Sequence, residues 1–190
     1  MFIPSCLMIF ISHFCSTQAR PTPRSTAEVE PTCLSAVSAL QITSNFGALL
    51  TTYSNTTAAS YLHPDFTAYS DSTTSLMNSG CPSGPMALGS PLFASLAAFQ
   101  SGQSHAANMP FEVLNVWFGC DSVTVRWRSA APVVGATASE QVIGIAVLQV
   151  VQGCVEDGEE EWIVKALWQE FNSLAWAVDA GMFTPNCGAV

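Results

Sequence analysis

The chain has 190 residues, of which 10% are charged and 49% hydrophobic, a composition that excludes a disordered or coiled-coil polymer and describes one core-rich domain. Five Lys+Arg against fourteen Asp+Glu give a net charge of -9. With no basic stripe to neutralise phosphates, nucleic acids and anionic membrane surfaces are excluded as partners.

Residues 1–19, MFIPSCLMIFISHFCSTQA, form an apolar run ending in small residues, with Thr17 and Ala19 in a small-x-small pattern. This reads as a signal peptide cut after Ala19, with a membrane anchor as the alternative. Residues 20–31 are rich in Pro, Thr and Ser, a flexible lead-in to a single domain over 32–190. The cut removes Cys6 and Cys15 and leaves Cys33, Cys81, Cys120, Cys154 and Cys187. These show no C-x-x-C spacing or Cys/His cluster, so disulfides in an oxidising compartment are expected and a metal site is not. Asn55-Thr56-Thr57 is a glycosylation sequon, in keeping with a secreted or lumenal protein.

Thr32 is placed to cap a first helix over 33–53, in which Ile42, Phe46, Leu49, Leu50 and Tyr53 form an apolar stripe. A helical turn at 58–62 should stop before Pro64, leaving His63 as a hinge. A brief strand from Phe66 then puts Thr67, Tyr69 and Asp71 on one face and Phe66, Ala68 and Ser70 on the other. Residues 78–91 read as a loop, followed by a short helix with Leu92, Leu96 and Phe99 facing inward. Four strand-like runs follow, 111–118, 122–129, 142–151 and 162–172. Helices followed by an antiparallel meander describe an α+β domain whose sheet curls around the helices and encloses a pocket.

Period two along the last strand puts Trp162, Val164, Ala166, Trp168, Glu170 and Asn172 on one face. If that face looks into the pocket, Glu170 is partly desolvated and suited to hold or donate a proton near neutral pH; otherwise Glu170 and Asn172 cap the sheet end. Trp117 offers a second pocket wall, with plain core packing as the alternative. Arg126 and Arg128 alternate with buried positions and belong on the outer face. The acidic run Glu156, Asp157, Glu159, Glu160 and Glu161 lacks the oxygen spacing of a calcium loop and reads as a solvated hairpin tip. His105 sits in a surface loop. No G-x-S-x-G, H-E-x-x-H, Gly-rich phosphate loop or dinucleotide fingerprint is present, which removes hydrolase, metalloenzyme and nucleotide-dependent classes.

The succession CLSAVSALQITSNFGALL, DFTAYSDSTTSLMNSGC, LGSPLFASLAAFQSGQ, PFEVLNVWFGCDSVTVRWRS and EFNSLAWAVDAGMFTP resembles fungal secreted proteins of the nuclear transport factor 2-like superfamily. This is the conical fold shared with scytalone dehydratase and SnoaL-type cyclases. The resemblance runs over most of residues 33–187 and implies a curved antiparallel sheet around N-terminal helices and an apolar pocket, often with dimerisation through the outer sheet. It includes enzymes similar to the hetero-Diels–Alderases that join a tropolone-derived quinone methide to humulene-type terpenes. Such work needs no cofactor: a closed apolar pocket orients two reactants and one or two hydrogen-bond donors polarise a carbonyl. The paired histidines of the dehydratases have no counterpart, since the mature chain holds only His63 and His105.

On this resemblance Tyr69 and Asp71 line the cone while His63 and Asp65 stay at its rim. Tyr69, Asp71, Glu170 and Asn172 become the proton and hydrogen-bond groups of a cofactor-free cyclase, pericyclase or dehydratase, and Tyr53, Trp117 and Trp168 its apolar walls. Cys33, Cys81, Cys120 and Cys187 match cysteine positions of relatives, with Cys33–Cys81 and Cys120–Cys187 as the expected pairs and Cys154 left over. The alternative is a secreted, non-catalytic binding protein or effector of the same fold.

Overall fold

A computed structural model describes residues 33–80, 85–129, 141–154 and 160–184. The leader, the lead-in, Cys81, Cys187 and Glu156, Asp157 and Glu159 lie outside the described residues. Helix α1 (Ala36–Thr51) is shorter than the expected 33–53, because Ser35 is the N-cap and its hydroxyl accepts from Ser38 N at 3.1 Å. The residues before it are held extended: Leu34 N donates to Cys120 O at 3.0 Å, and Cys33 is disulfide-bonded to Cys120. That bond corrects the expected Cys33–Cys81 and Cys120–Cys187 pairs. The two cysteines are 87 residues apart in sequence, yet the turn between strands β2 (Glu112–Phe118) and β3 (Ser122–Ser129) brings their Cα atoms to 4.2 Å.

Helix α2 (Asn55–Tyr61) runs directly into β1 (Leu62–Tyr69), and α3 (Asp71–Gly80) and α4 (Leu96–Gln103) follow before β2. After β3 come β4 (Val142–Cys154), β5 (Glu160–Phe171) and α5 (Ser173–Asp179). The sheet order is β1-β5-β4-β3-β2. Strands β2 to β5 form the expected antiparallel meander, but β1 joins β5 in parallel, so the sheet is mixed rather than antiparallel. A parallel partner requires a crossover instead of a hairpin, and here α3, α4 and the whole meander supply it. As the edge strand, β1 tolerates Pro64, whose missing N–H would disrupt a central strand.

The inner sheet face is built by strict alternation. Val123, Val125 and Trp127 on β3 are fully buried, and Val142, Ala146, Leu148 and Val150 on β4 face the same way. They pack against Ile42, Phe46 and Leu49 of α1 and Phe99 of α4 in one continuous core within the compact unit Thr32–Val190. Thr124, Arg126 and Arg128 project outward, as the alternation predicts; Arg128 makes a two-pronged pair with Glu112 at 2.5 and 2.7 Å. Its guanidinium holds the Glu112 carboxyl below the ordinary range.

Strand β5 departs from alternation at one place. Gln149 pairs with Ala166 and Val150 with Val164, so Lys165 is an extra residue with no partner on β4. Such a bulge shifts the side-chain period by one. The inward set is therefore Val164, Leu167, Gln169 and Phe171, while Trp168 and Glu170 emerge on the outer face, paired with Val147 and Ile145.

Candidate functional site

Between the inner sheet face and the helices lies a cavity of two adjoining lobes, about 440 Å³ and about 590 Å³. The first is hydrocarbon and aromatic, with Phe46 and Leu49 from α1, Phe66 from β1, Phe93 and Phe99 around α4, and Leu148 and Leu167 from the sheet. The second is closed by Trp127, Phe171, Met109, Leu76 and Trp176. Leu50, Thr73, Met77, Gln103, Ala106 and Gln169 line both and form the seam. None of the described residues lining either lobe is Asp, Glu, His, Lys or Arg. What the cavity offers is apolar surface with a few neutral hydrogen-bonding groups, a composition typical of small-molecule sites.

The side chains at the seam owe their positions to two local devices. One is the Lys165 bulge, which turns Gln169 inward. The other is α3, which carries Thr73, Leu76 and Met77. Its sequence, DSTTSLMNSG, is rich in weak helix formers, and the helix is held at its start by other groups. Ser70 Oγ accepts from Thr73 N at 3.1 Å. The Glu170 carboxylate accepts from the backbone N–H of Asp71 and of Ser72, both at 2.8 Å, and from the Ser72 hydroxyl. A carboxylate on the unpaired N–H groups of a helix start, where the dipole is positive, is a strong terminus.

Glu170 thus faces α3 rather than the cavity. Glu170→Ala is expected to lower stability by about 1–2 kcal/mol, an exposed site tempering the value of a charged cap, and Glu170→Gln by less, because one acceptor oxygen survives. Urea unfolding of the three proteins checks this; equal midpoints would mean that the cap contributes nothing.

The other residues expected at the site are placed as follows. Asp71 Oδ1 accepts from Gly89 N at 2.7 Å, tying the start of α3 to the segment before α4. Asn172 Oδ1 accepts from Ile143 N at 2.6 Å and its Nδ2 donates to Gln141 O at 3.1 Å, fastening the end of β5 to the start of β4. Tyr69 borders the first lobe, but its ring stacks on Trp168 at 5.7 Å and 7° from parallel. Trp117, Thr124, Val147, Trp168 and Tyr69 are successive register partners and form one row across all five strands on the outer face, where Trp117 is 53% and Trp168 43% exposed.

Tyr53 packs edge-on against Phe99 at 6.0 Å, behind the cavity wall, and its hydroxyl donates to Asn55 Oδ1 at 2.7 Å; burial raises that hydroxyl above the ordinary tyrosine range. His63 Nδ1 accepts from Asp65 N at 3.0 Å, so this pair shapes the irregular part of β1 away from the cavity. His105 is exposed in the turn after α4.

The family model that matches the chain is that of the NTF2-like domain, over residues 32–183. The chain belongs to the NTF2-like family. Solved structures agree on the fold. A Catenulispora acidiphila protein with a ketosteroid isomerase-like fold, crystallised with trimethylamine, is 12% identical, with a TM-score of 0.52 over 76% of this NTF2-like chain and 98% of its own. A candidate polyketide cyclase from Bacillus cereus is 14% identical, with a TM-score of 0.52 over 80% and 87% of the two chains. A candidate SnoaL-like polyketide cyclase from Jannaschia is 12% identical, with a TM-score of 0.50 over 80% and 98%. No curated protein matches this NTF2-like chain in sequence.

Gln169, Thr73, Gln103 and Trp127 are among the cavity residues absent from the sequence-based expectation. Trp127 occupies the buried position between Arg126 and Arg128 that alternation marks, and Ser70 with Thr73 is a local capping pattern. Gln169 had no local signal, because Ala166, Leu167 and Trp168 are all apolar and hide where the period changes.

Proposed function

We propose that the chain is a cofactor-free cyclase of the secretory pathway that takes neutral, hydrophobic secondary metabolites into its cone, most specifically a pericyclase of the hetero-Diels–Alder type in fungal polyketide or terpenoid biosynthesis. The observation that carries this reading is the two-lobed cavity with neutral hydrogen-bonding side chains at its seam and no charged side chain among its described lining. Two adjoining apolar lobes suit two apolar reactants. Holding them side by side turns a bimolecular encounter into an effectively unimolecular step. A cycloaddition moves no net proton, so it needs neither carboxylate nor histidine in the lobes; a neutral donor at the seam suffices to polarise a carbonyl as charge shifts onto its oxygen. Structural neighbours that carry the polyketide cyclase description add to the reading, and the Cys33–Cys120 bond accords with an oxidising compartment.

The same neutral lining favours a second reading, a secreted carrier that binds such a molecule without changing it. Metabolite extracts from the source organism with and without the gene, compared by liquid chromatography and mass spectrometry, separate the two. The enzyme reading expects loss of a cyclised or coupled product with accumulation of its unjoined precursors. An unchanged profile under conditions where the gene is expressed overturns it and leaves the carrier.

A further inference from the structure

We propose that Trp127 and Gln169 together recognise a hydroxyl group, so that the second lobe takes the oxygenated end of an amphiphilic ligand such as a phenol, enol or alcohol and the first lobe takes its hydrocarbon part. The inference rests on the reading that the cavity holds a neutral small molecule.

Two polar atoms carry it. The indole N–H of Trp127, whose side chain is 0% exposed, and the side-chain oxygen Oε1 of Gln169 are both buried without a hydrogen-bonding partner among the described residues. Both side chains line the second lobe. Folded proteins rarely leave buried polar groups unpaired, and those that remain call for an explanation. Trp127 cannot swing away to find a partner, because its ring is wedged against Phe111 at 5.7 Å and Phe171 at 6.2 Å and lies over Gly144. The hydroxyls of Ser70, in the first lobe, and Thr73, at the seam, are by contrast bonded to each other at 2.9 Å.

The two orphan groups have opposite sense, which narrows the ligand. The indole only donates and the amide oxygen only accepts. A hydrocarbon satisfies neither. An ether or a simple ketone satisfies the indole alone. A carboxylate would bring a charge with no counter-charge in the described lining and would face the amide oxygen with a second acceptor. A hydroxyl both accepts and donates, and so meets both demands.

The test uses the purified, disulfide-intact protein and displacement of the neutral fluorophore N-phenyl-1-naphthylamine by 4-nonylphenol and by its methyl ether, 4-nonylanisole. A merely apolar cavity favours the ether, the less water-soluble of the two. The proposal expects the reverse: the phenol binds about tenfold more tightly, the value of one buried hydrogen bond. Gln169→Met should abolish the phenol's advantage by weakening the phenol, with an unchanged thermal midpoint certifying the fold. Trp127→Phe should weaken both, since either oxygen can accept from the indole. Equal or ether-favouring binding to the unmodified protein overturns the proposal and leaves the apolar-ligand reading standing. Failure of the fluorophore to bind at all overturns both.

Discussion

Replacing Cys33 and Cys120 together by serine is expected to lower the stability of the domain by about 2–5 kcal/mol, the range for a native cross-link that closes a long loop. The bond spans 87 residues and ties the entrance of α1 to the β2–β3 turn, next to the Leu34–Cys120 backbone hydrogen bond. Without it, the unfolded chain regains the freedom that the closed loop denied, and the entrance of α1 is left to the Leu34–Cys120 hydrogen bond and the buried Leu34 side chain. Because Phe46, Leu49 and Leu50 of α1 line the cavity, ligand binding should weaken in step with stability. Urea unfolding of the double variant, beside the parent protein with and without reductant, measures this. A midpoint equal to that of the oxidised parent would mean that the bond is present but contributes nothing.

The second large effect is expected at Gly144. It lies on the inner face of β4, paired with Trp127 on one side and Phe171 on the other, and the two rings meet across it at 6.2 Å. A Cβ there would lie 2.5 and 2.6 Å from Trp127 Cζ2 and Cε2 and 2.8 Å from Glu170 O, closer than real side chains approach. The backbone oxygen cannot yield without breaking the β4–β5 ladder, and the indole is boxed in by its neighbours. Gly144→Ala should therefore destabilise by about 1–3 kcal/mol, as overpacking a filled core does. It should also displace Trp127, so near-ultraviolet circular dichroism should change in the folded variant. An unaltered spectrum with unaltered stability would show that the ring has room the geometry denies.

The sequence was most legible where period and capping are local. The four strands of the meander and the outward position of Arg126 and Arg128 follow from alternation alone, and α1 follows from its apolar stripe. Helix α3 is hidden from local pattern, because its polar, β-branched sequence argues against a helix and its strongest cap, Glu170, comes from a residue 99 positions away from Asp71. Helix α5 is hidden for a related reason: Asn172, its N-cap, spends its side chain on the edge of β4 and makes no capping bond. The parallel pairing of β1 is invisible to local pattern, since it depends on where the chain returns. The expectation for the cavity erred with the bulge. A strict period of two carries Trp168 and Glu170 inward, and one unpaired lysine reverses that.

The extra residue at Lys165 also makes this point of the last strand a place where length can change without altering what the cavity holds. Removing it would leave Val150 paired with Val164 and Gln149 with Ala166, so that Val164, Leu167, Gln169 and Phe171 still face the lobes, Trp168 and Glu170 stay outside, and the carboxylate that starts α3 keeps its place. A one-residue insertion or deletion between Leu167 and Glu170 would do the opposite, moving Glu170 to the cavity face and away from α3. Length variation among relatives of this chain should therefore collect at Lys165 and avoid the next few positions of the strand.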